Sequence, residues 1–451
     1  MRISLDRIAQ PFVVFAERFY PAPFVFAIGL TAATFLMAVW LTPTTALQAL
    51  DLWGQGLTGL LAFITQVCLT LVCAHALAHT DAVRRGIERI ARWPGRPHQA
   101  YSMVVVVAGI ASLVAGAFGL VVGALIALAV GEQGRARGLR LHFPLLVASA
   151  YSGFMIWHMG YSGTVPLIVA TPGHMLEAAM GTVPVTDTTF STWNLGLAFA
   201  TLGATALVCS LLAPKGDDIV ELAPAASSVA TEAEAPSASL ARTPGQRLDE
   251  ARALSIGLGL LLLAYLASWF STRGFGLTYD VVNWSFLCAG LLMARSPRHY
   301  VSLITNASRT VGPVILQYPF YAAVMALITQ TELVEIFSNA FVAISSADTL
   351  GFWAFVSGGI LNVFVPSGGG QWAVQGPIFV AAARDLGVAS PAIVMGVAYG
   401  DQWTNMIQPF WTLPLLAIVG LRAGAIMGYC FVVFLTGFVM LGGGLLLFGA
   451  G

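Results

Sequence analysis

The chain has 451 residues, 57% of them hydrophobic and only 9% charged, and its 21 basic and 21 acidic side chains cancel. A soluble domain carries roughly 25% charged residues, so water is excluded as the solvent for most of this surface. A neutral chain with so few cations is also not built to bind nucleic acid.

Several apolar runs are long enough to cross a hydrocarbon core, which takes at least ~17 residues, among them Phe24–Leu41, Leu57–Ala78, Tyr101–Val130 and Met427–Phe448. They alternate with short polar loops, which indicates an all-α polytopic membrane protein and not a barrel. The first run is long and lacks a small-residue cleavage site, so no cleavable leader is expected. In chain order, spans are expected near 22–41 and 57–79, followed by a re-entrant hairpin over 101–130. Spans at 144–171, 193–213, 252–271, 280–294 and 310–330 come next, then a second hairpin over 349–383 and spans at 391–420 and 424–448.

The hairpins follow from charge. Tyr101–Val130 is basic on both flanks (Arg84–Arg96 and Arg135–Arg140), and positive loops stay in the cytoplasm. A segment that dips in and returns, with its tip at Ala115–Gly119, keeps both flanks on one side. With this arrangement all of the 21 basic residues except Arg273 and Arg384 lie inside, which places the N-terminus in the cytoplasm and the protein in the inner membrane. Residues 216–245 are rich in Ala, Ser, Pro, Thr and Glu and are expected to form a flexible linker. The chain then divides into 1–213, a linker at 214–251, and 252–451.

The halves repeat. Ala150-Tyr151 matches Ala398-Tyr399, Thr164-x-Pro166-Leu167 matches Thr412-x-Pro414-Leu415, and Thr80-Asp81-x-Val83 matches Thr331-Glu332-x-Val334. The extra span at 252–271 turns the second half upside down, so two inverted repeats are expected, each with a re-entrant hairpin and a broken transmembrane helix, the pattern of secondary transporters.

Four interruptions draw attention: the tips Ala115–Gly119 and Pro366–Gly370, and the breaks at Gly160–Thr164 and Gly400–Asn405. Broken helices present amide ends to anions and carbonyl ends to cations. No Arg or Lys falls within the membrane core of any expected span, so an anion must be held by amides and hydroxyls. The candidates are Ser162, Gly163, Thr164, Asn362, Ser367, Gly368, Gly369, Gly370, Gln371, Trp403 and Asn405. Asp401 lies mid-span, where a carboxylate is costly, and is with His158 the candidate ion-coupling site. Cys68, Cys73, Cys209, Cys288 and Cys430 all fall in apolar segments, and His75 and His79 have no third ligand nearby. No disulfide, metal or cofactor is expected beyond a bound proton or sodium ion.

The stretches VPSGGGQW with VQGP (Val365–Pro377), AYGDQWTNMIQPFW (Ala398–Trp411) and GYSGTVPLIVATPG (Gly160–Gly173) resemble the short-chain fatty acid transporter family, as do Phe19–Phe35 and Ala117–Gly123. The resemblance covers nearly the whole chain. It implies uptake of acetoacetate, butyrate and similar acids, by a homodimer with a scaffold and an elevator-like transport domain. The chain departs from the family pattern where Ala115-Gly116 replaces Asn-Trp, Asp401 replaces Glu and His158 replaces Gly. A cation-coupled carboxylate transporter is the first reading; an anion channel and a carboxylate exchanger are the alternatives, and no constellation suits an enzyme.

Overall fold

The computed structural model of the protein describes residues 5–214, 216–223, 243–274, 278–309 and 311–448, with the side chains of all of these except residues 5–9, 217, 279 and 448. Among them every regular element is helical. In the first half these are α1 (Leu5–Phe19), α2 (Pro23–Leu41), α3 (Ala46–Gly56), α4 (Leu61–Ala78), α5 (Asp81–Ala91), α6 (Pro97–Val114), α7 (Gly116–Ala136), α8 (Phe143–Ser152), which runs into a 3-10 segment at Gly153–Met159, α9 (Thr164–Ala170), α10 (Glu177–Met180) and α11 (Thr192–Leu211). The second half has α12 (Pro244–Asp249), α13 (Arg252–Arg273), α14 (Tyr279–Met293), α15 (Pro297–Ser308), α16 (Gly312–Thr329), α17 (Leu333–Val342), α18 (Leu350–Asn362), α19 (Gly368–Leu386), α20 (Ser390–Thr404), α21 (Thr412–Val419), α22 (Gly424–Gly437) and, after a π-turn, α23 (Gly443–Phe448).

Local chemistry explains the starts. Proline stands in the first turn of α2, α6, α8, α15, α16 and α20, where its missing N–H removes no helical bond. Thr45 with Gln48 and Thr243 with Gln246 form capping boxes, in which each side chain satisfies the other residue's backbone N–H. Eight of the described segments are long and apolar enough to cross a membrane. Their cover differs: 67% of the α7 window is buried inside the protein against 17% of the α13 window, so α7 is internal and α13 peripheral.

The element order repeats at an offset of 251 residues. Leu61–Ala78 maps onto Gly312–Thr329, Ala46–Gly56 onto Pro297–Ser308 and Asp81–Ala91 onto Leu333–Val342. The packing follows the same exchange: α4 packs on α14 and α15, while its counterpart α16 packs on α2 and α3. The first hairpin returns to its starting side, because the Arg137 guanidinium donates to the carbonyls of Arg92 (2.7 Å) and Pro94 (3.1 Å).

Three sequence expectations change. Loop 331–348 contains the helix α17, and amphipathic α5 and α15 were not anticipated. The second broken span is interrupted later than expected: α20 continues through Thr404 and the break is 405–411. Gly396 and Gly400 do not bend α20. They let it press on α18, since a Cβ on Gly396 would lie 2.6 Å from the Gly351 carbonyl and one on Gly400 would overlap the Phe355 carbonyl; this is close small-residue packing. Most of the linker, residues 224–242, lies outside the described residues, but its start is docked. The Val220 N–H donates to His142 Nδ1 (3.0 Å), the Phe143 N–H donates to the Val220 carbonyl (2.7 Å), and Arg140 pairs with Glu221 at 3.2 Å.

Two predictions follow from this packing. Gly400→Ala puts a methyl group into backbone that cannot yield, a change costing about 1–3 kcal/mol, whereas Gly443 has nothing within 4 Å of its Cβ position. Thermal unfolding in detergent is expected to show a clear drop in Tm for Gly400→Ala and none for Gly443→Ala; equal Tm values would remove this account of the α18–α20 contact. The second concerns His142, whose burial lowers its pKa from 6.5 to about 4. The docked strap excludes a proton that the undocked ring accepts, so docking is complete above the free value and weakens as pH falls toward the docked one. Hydrogen exchange at the Val220 amide, corrected for intrinsic rates, is expected to lose protection between about pH 7 and about pH 5; constant protection would reject it.

Candidate functional site

Both hairpin tips end on one stretch of chain, residues 157–164. At the first tip, the Tyr161 N–H donates to the Leu113 carbonyl (2.7 Å) and the Gly116 N–H donates to Ser162 Oγ (3.2 Å). A Cβ on Gly116 would lie 3.0 Å from the Trp157 ring. At the second tip, a Cβ on Gly368 would overlap His158 Cε1 and lie 2.9 Å from its Nε2, while one on Gly369 would meet Ile168 Cδ1 at 3.3 Å and Thr164 Cγ2 at 3.4 Å. Glycine is required at Gly368 because a backbone and an aromatic ring share that space. Ser367 caps α19 by accepting from the Gly370 N–H (3.4 Å), and the Gln371 N–H donates to the Ser367 carbonyl. This leaves the amides of Gly368 and Gly369 as the orphan donors of the first turn.

His158 and Asp401 meet at the centre. Nδ1 of His158 stands 2.9 Å from Oδ2 of Asp401, and both side chains are fully buried. The distance suits an ion pair, yet neither Asp401 oxygen nor His158 Nδ1 has hydrogen-bond geometry to any partner. The ring's other nitrogen decides its tautomer. The Val165 N–H donates to His158 Nε2 (3.2 Å), so Nε2 is the bare acceptor and the ring proton sits on Nδ1, facing Asp401. Trp157 stacks on the ring at 4.0 Å and 16°, and the Gln402 side-chain oxygen accepts from the His158 N–H (2.9 Å).

The remaining candidates separate into two groups. Asn362 donates to Thr404 Oγ1 (3.0 Å) and Asn405 Oδ1 (2.8 Å), tying the end of α18 to the end of α20. Gln371 donates to the Gly358 carbonyl (2.7 Å) and to Gln375 (3.0 Å), so its amide nitrogen holds α18 and α19 together. Trp403 lies apart from the tips. Its indole N–H donates to the Phe434 carbonyl (2.8 Å), and its ring packs on Phe434 and Phe355.

Sequence reasoning missed the residues that satisfy the breaks. Tyr151, Tyr20 and Tyr318 donate their hydroxyls to the carbonyls of Asn405 (2.6 Å), Ile407 (3.1 Å) and Phe410 (3.3 Å). Asn194 donates to the Met159 carbonyl (3.0 Å) and is itself held by the Tyr399 hydroxyl (2.6 Å). The available signal was a polar atom on an otherwise apolar helix, which does not say where its partner lies.

Gly368 and Gly369 give a paired prediction. Gly368→Ala drives a methyl group into a ring pinned by Trp157, whereas Gly369→Ala asks neighbours to move by tenths of an ångström. Uptake per assembled protein is expected to fall at least about tenfold, the loss from misplacing a site by ~1 Å, for Gly368→Ala, and much less for Gly369→Ala; Gly369→Val, which fills the approach, is expected to block it. Equal activity of the two alanine variants would show that the tip does not need its closeness to His158.

Comparison with known proteins adds the family. The sequence profile described as "Short chain fatty acid transporter" matches residues 4–448. A curated relative from Escherichia coli (strain K12), provisionally named a short-chain fatty acid transporter, is 38% identical over 450 residues, covering 98% of this chain and 100% of its own. One from Haemophilus influenzae, with the same provisional name, is 34% identical over 439 residues, covering 94% and 96%. Among solved structures, the Alcanivorax borkumensis YdaH transporter aligns with 16% identity and a TM-score of 0.45, covering 96% of this chain and 100% of that one. Neisseria gonorrhoeae MtrF aligns with 16% identity and a TM-score of 0.44, covering 98% of each. With the match running through both hairpins and both broken spans, the chain belongs to the short chain fatty acid transporter family.

Proposed function

We propose that the protein is a secondary active transporter that moves short-chain carboxylates such as acetoacetate or butyrate together with a cation, a proton or a sodium ion, bound at Asp401. One observation carries the reading: a fully buried carboxylate with neither oxygen in hydrogen-bond geometry, its nearest polar neighbour the His158 ring at 2.9 Å. An unpaired charge in that position costs several kcal/mol, and an anionic substrate nearby adds repulsion that low dielectric magnifies. A cation arriving with the substrate removes both costs. The α19 N-terminus, with the orphan amides of Gly368 and Gly369, supplies the dipole and donors for the substrate carboxylate; Thr164 stands across from it, and Ser162, at the first tip, is the further hydroxyl of the proposed site.

In this reading the 251-residue offset and the exchanged packing of α4 and α16 reflect two inverted repeats. The spans α2, α4, α14 and α16 are the scaffold, and the hairpins with the broken spans are the moving body of an elevator. The protein works as a homodimer in the inner membrane with its N-terminus in the cytoplasm, as the basic loops favour.

The test is uptake into proteoliposomes under imposed pH and sodium gradients. Asp401→Asn mimics the loaded, neutral state, so it is expected to abolish gradient-driven accumulation and retain exchange. Accumulation by the variant with unchanged pH and sodium dependence would place coupling elsewhere. Saturation with trans-stimulation is expected throughout; a conductance far above turnover rates would instead mean a channel.

A further inference from the structure

A cleft of about 350 Å³ opens between the α1–α2 junction, the start of α16 and the turn between α21 and α22. It is well separated in sequence from both hairpin tips, yet three features connect it to them. Its mouth carries Arg422, an exposed cation with no ion-pair partner among the described residues, across from the carboxylate of Glu17. Its floor holds Gln317, only 7% exposed, whose side-chain oxygen has no hydrogen-bond partner. Its wall includes Tyr20, whose hydroxyl donates to the Ile407 carbonyl inside the break of the second broken span.

Helix α16 extends the path. Gln317, Tyr321 and Met325 follow at intervals of four residues and so share one face. Tyr321 is buried, and its hydroxyl also lacks a partner. The Met325 sulfur lies 3.6 Å from where a Cβ on Gly370 would stand, at the second hairpin tip. Eight residues at 1.5 Å each span about 12 Å, which is the reach from cleft floor to tip. Two unsatisfied polar side chains in the otherwise apolar stretch VILQYPFYAAVM cost stability unless something polar uses them.

We propose that this cleft is a vestibular binding site for the transported carboxylate. Arg422 recruits the anion, the apolar wall of Pro21, Pro23, Leu413 and Leu416 takes its short alkyl tail, and Gln317 and Tyr321 are the polar steps between the cleft and the amides of Gly368 and Gly369. The cleft is roomy for one such acid with water, and its volume lies within the ~300–1,000 Å³ usual for small-molecule sites. A flexible side chain on a loop at the mouth serves capture by long-range charge, which raises the encounter rate and is weakened by salt. The inference rests on the proposed substrate class.

The test uses Arg422→Cys in the full-length protein in proteoliposomes. The thiol is modified from the Arg422 side with methanethiosulfonate reagents of similar size bearing a positive or a negative charge, with the wild-type protein treated in parallel. The expected result is a KM for butyrate about tenfold lower with the cationic than with the anionic adduct, a gap that shrinks in high salt, with kcat little changed. Butyrate is also expected to slow the modification. Equal KM values for the two adducts, with wild-type uptake of butyrate intact, would overturn the vestibule and leave the transporter reading standing. Failure of the wild-type protein to transport any short carboxylate would overturn both. Gln317→Leu, read separately, is expected to lower kcat without changing the rate of thiol modification at Arg422→Cys.

Discussion

Backbone polar groups have no water to turn to inside a membrane, so each helix interruption must find its hydrogen bonds within the protein. The rest of the site is arranged around that constraint. Four interruptions expose carbonyls and amides in the interior. They are closed by Tyr151, Tyr20 and Tyr318 on the 405–411 break, by Asn194 on Met159, by Ser162 on the first tip and by Gln402 on the His158 amide. Several of these partners come from more than 200 positions away in the chain, so the breaks in one half are held partly by residues of the other. A tyrosine suits the task because its ring packs in the apolar interior while its hydroxyl reaches a carbonyl.

Among the buried polar groups that remain without a hydrogen-bond partner, Gln317 and Tyr321 included, Asp401 stands out as a carboxylate with neither oxygen satisfied. A neutral buried donor or acceptor left alone costs about 1–3 kcal/mol, and an ion more. Glycines around it carry part of the explanation: Gly400 brings α20 against α18, and Gly368 brings the second tip against His158. The close approaches thus fix the carboxylate and the orphan amides in one place, where an anion and a cation can neutralise each other. At Gly400 the positioning is set by backbone contact, which is stiffer than side-chain contact and suits a site whose parts belong to separate helices.

Much of this was legible in the sequence, and the reasons are specific. Long apolar runs and basic loops gave the spans, because solvent and charge act on whole segments. Both hairpins were legible because a basic flank on each side of Tyr101–Val130 and a run of three glycines at Gly368–Gly370 have few other uses. The second break was misplaced because Gly400 looks alike as a bend and as a contact, and only the position of α18 decides between them. Trp403 resembled a site residue, but its indole is committed to Phe434, a pairing between segments that no local pattern encodes. The helices α5, α15 and α17 were missed because short amphipathic stretches next to spans read as loops when only the apolar runs are followed.

Asp401 and His158 lie far apart in the sequence but stand 2.9 Å apart in the fold. The ring that faces the carboxylate is held from its other side, because Nε2 accepts from the Val165 N–H in the first turn of α9, and Trp157 stacks on its face. Its orientation is therefore set by the broken helix and not by Asp401 alone. A movement of α9 that breaks the Val165 contact frees the ring to turn and so changes the group that Asp401 faces. The buried carboxylate is thereby tied to the position of the broken helix beside it.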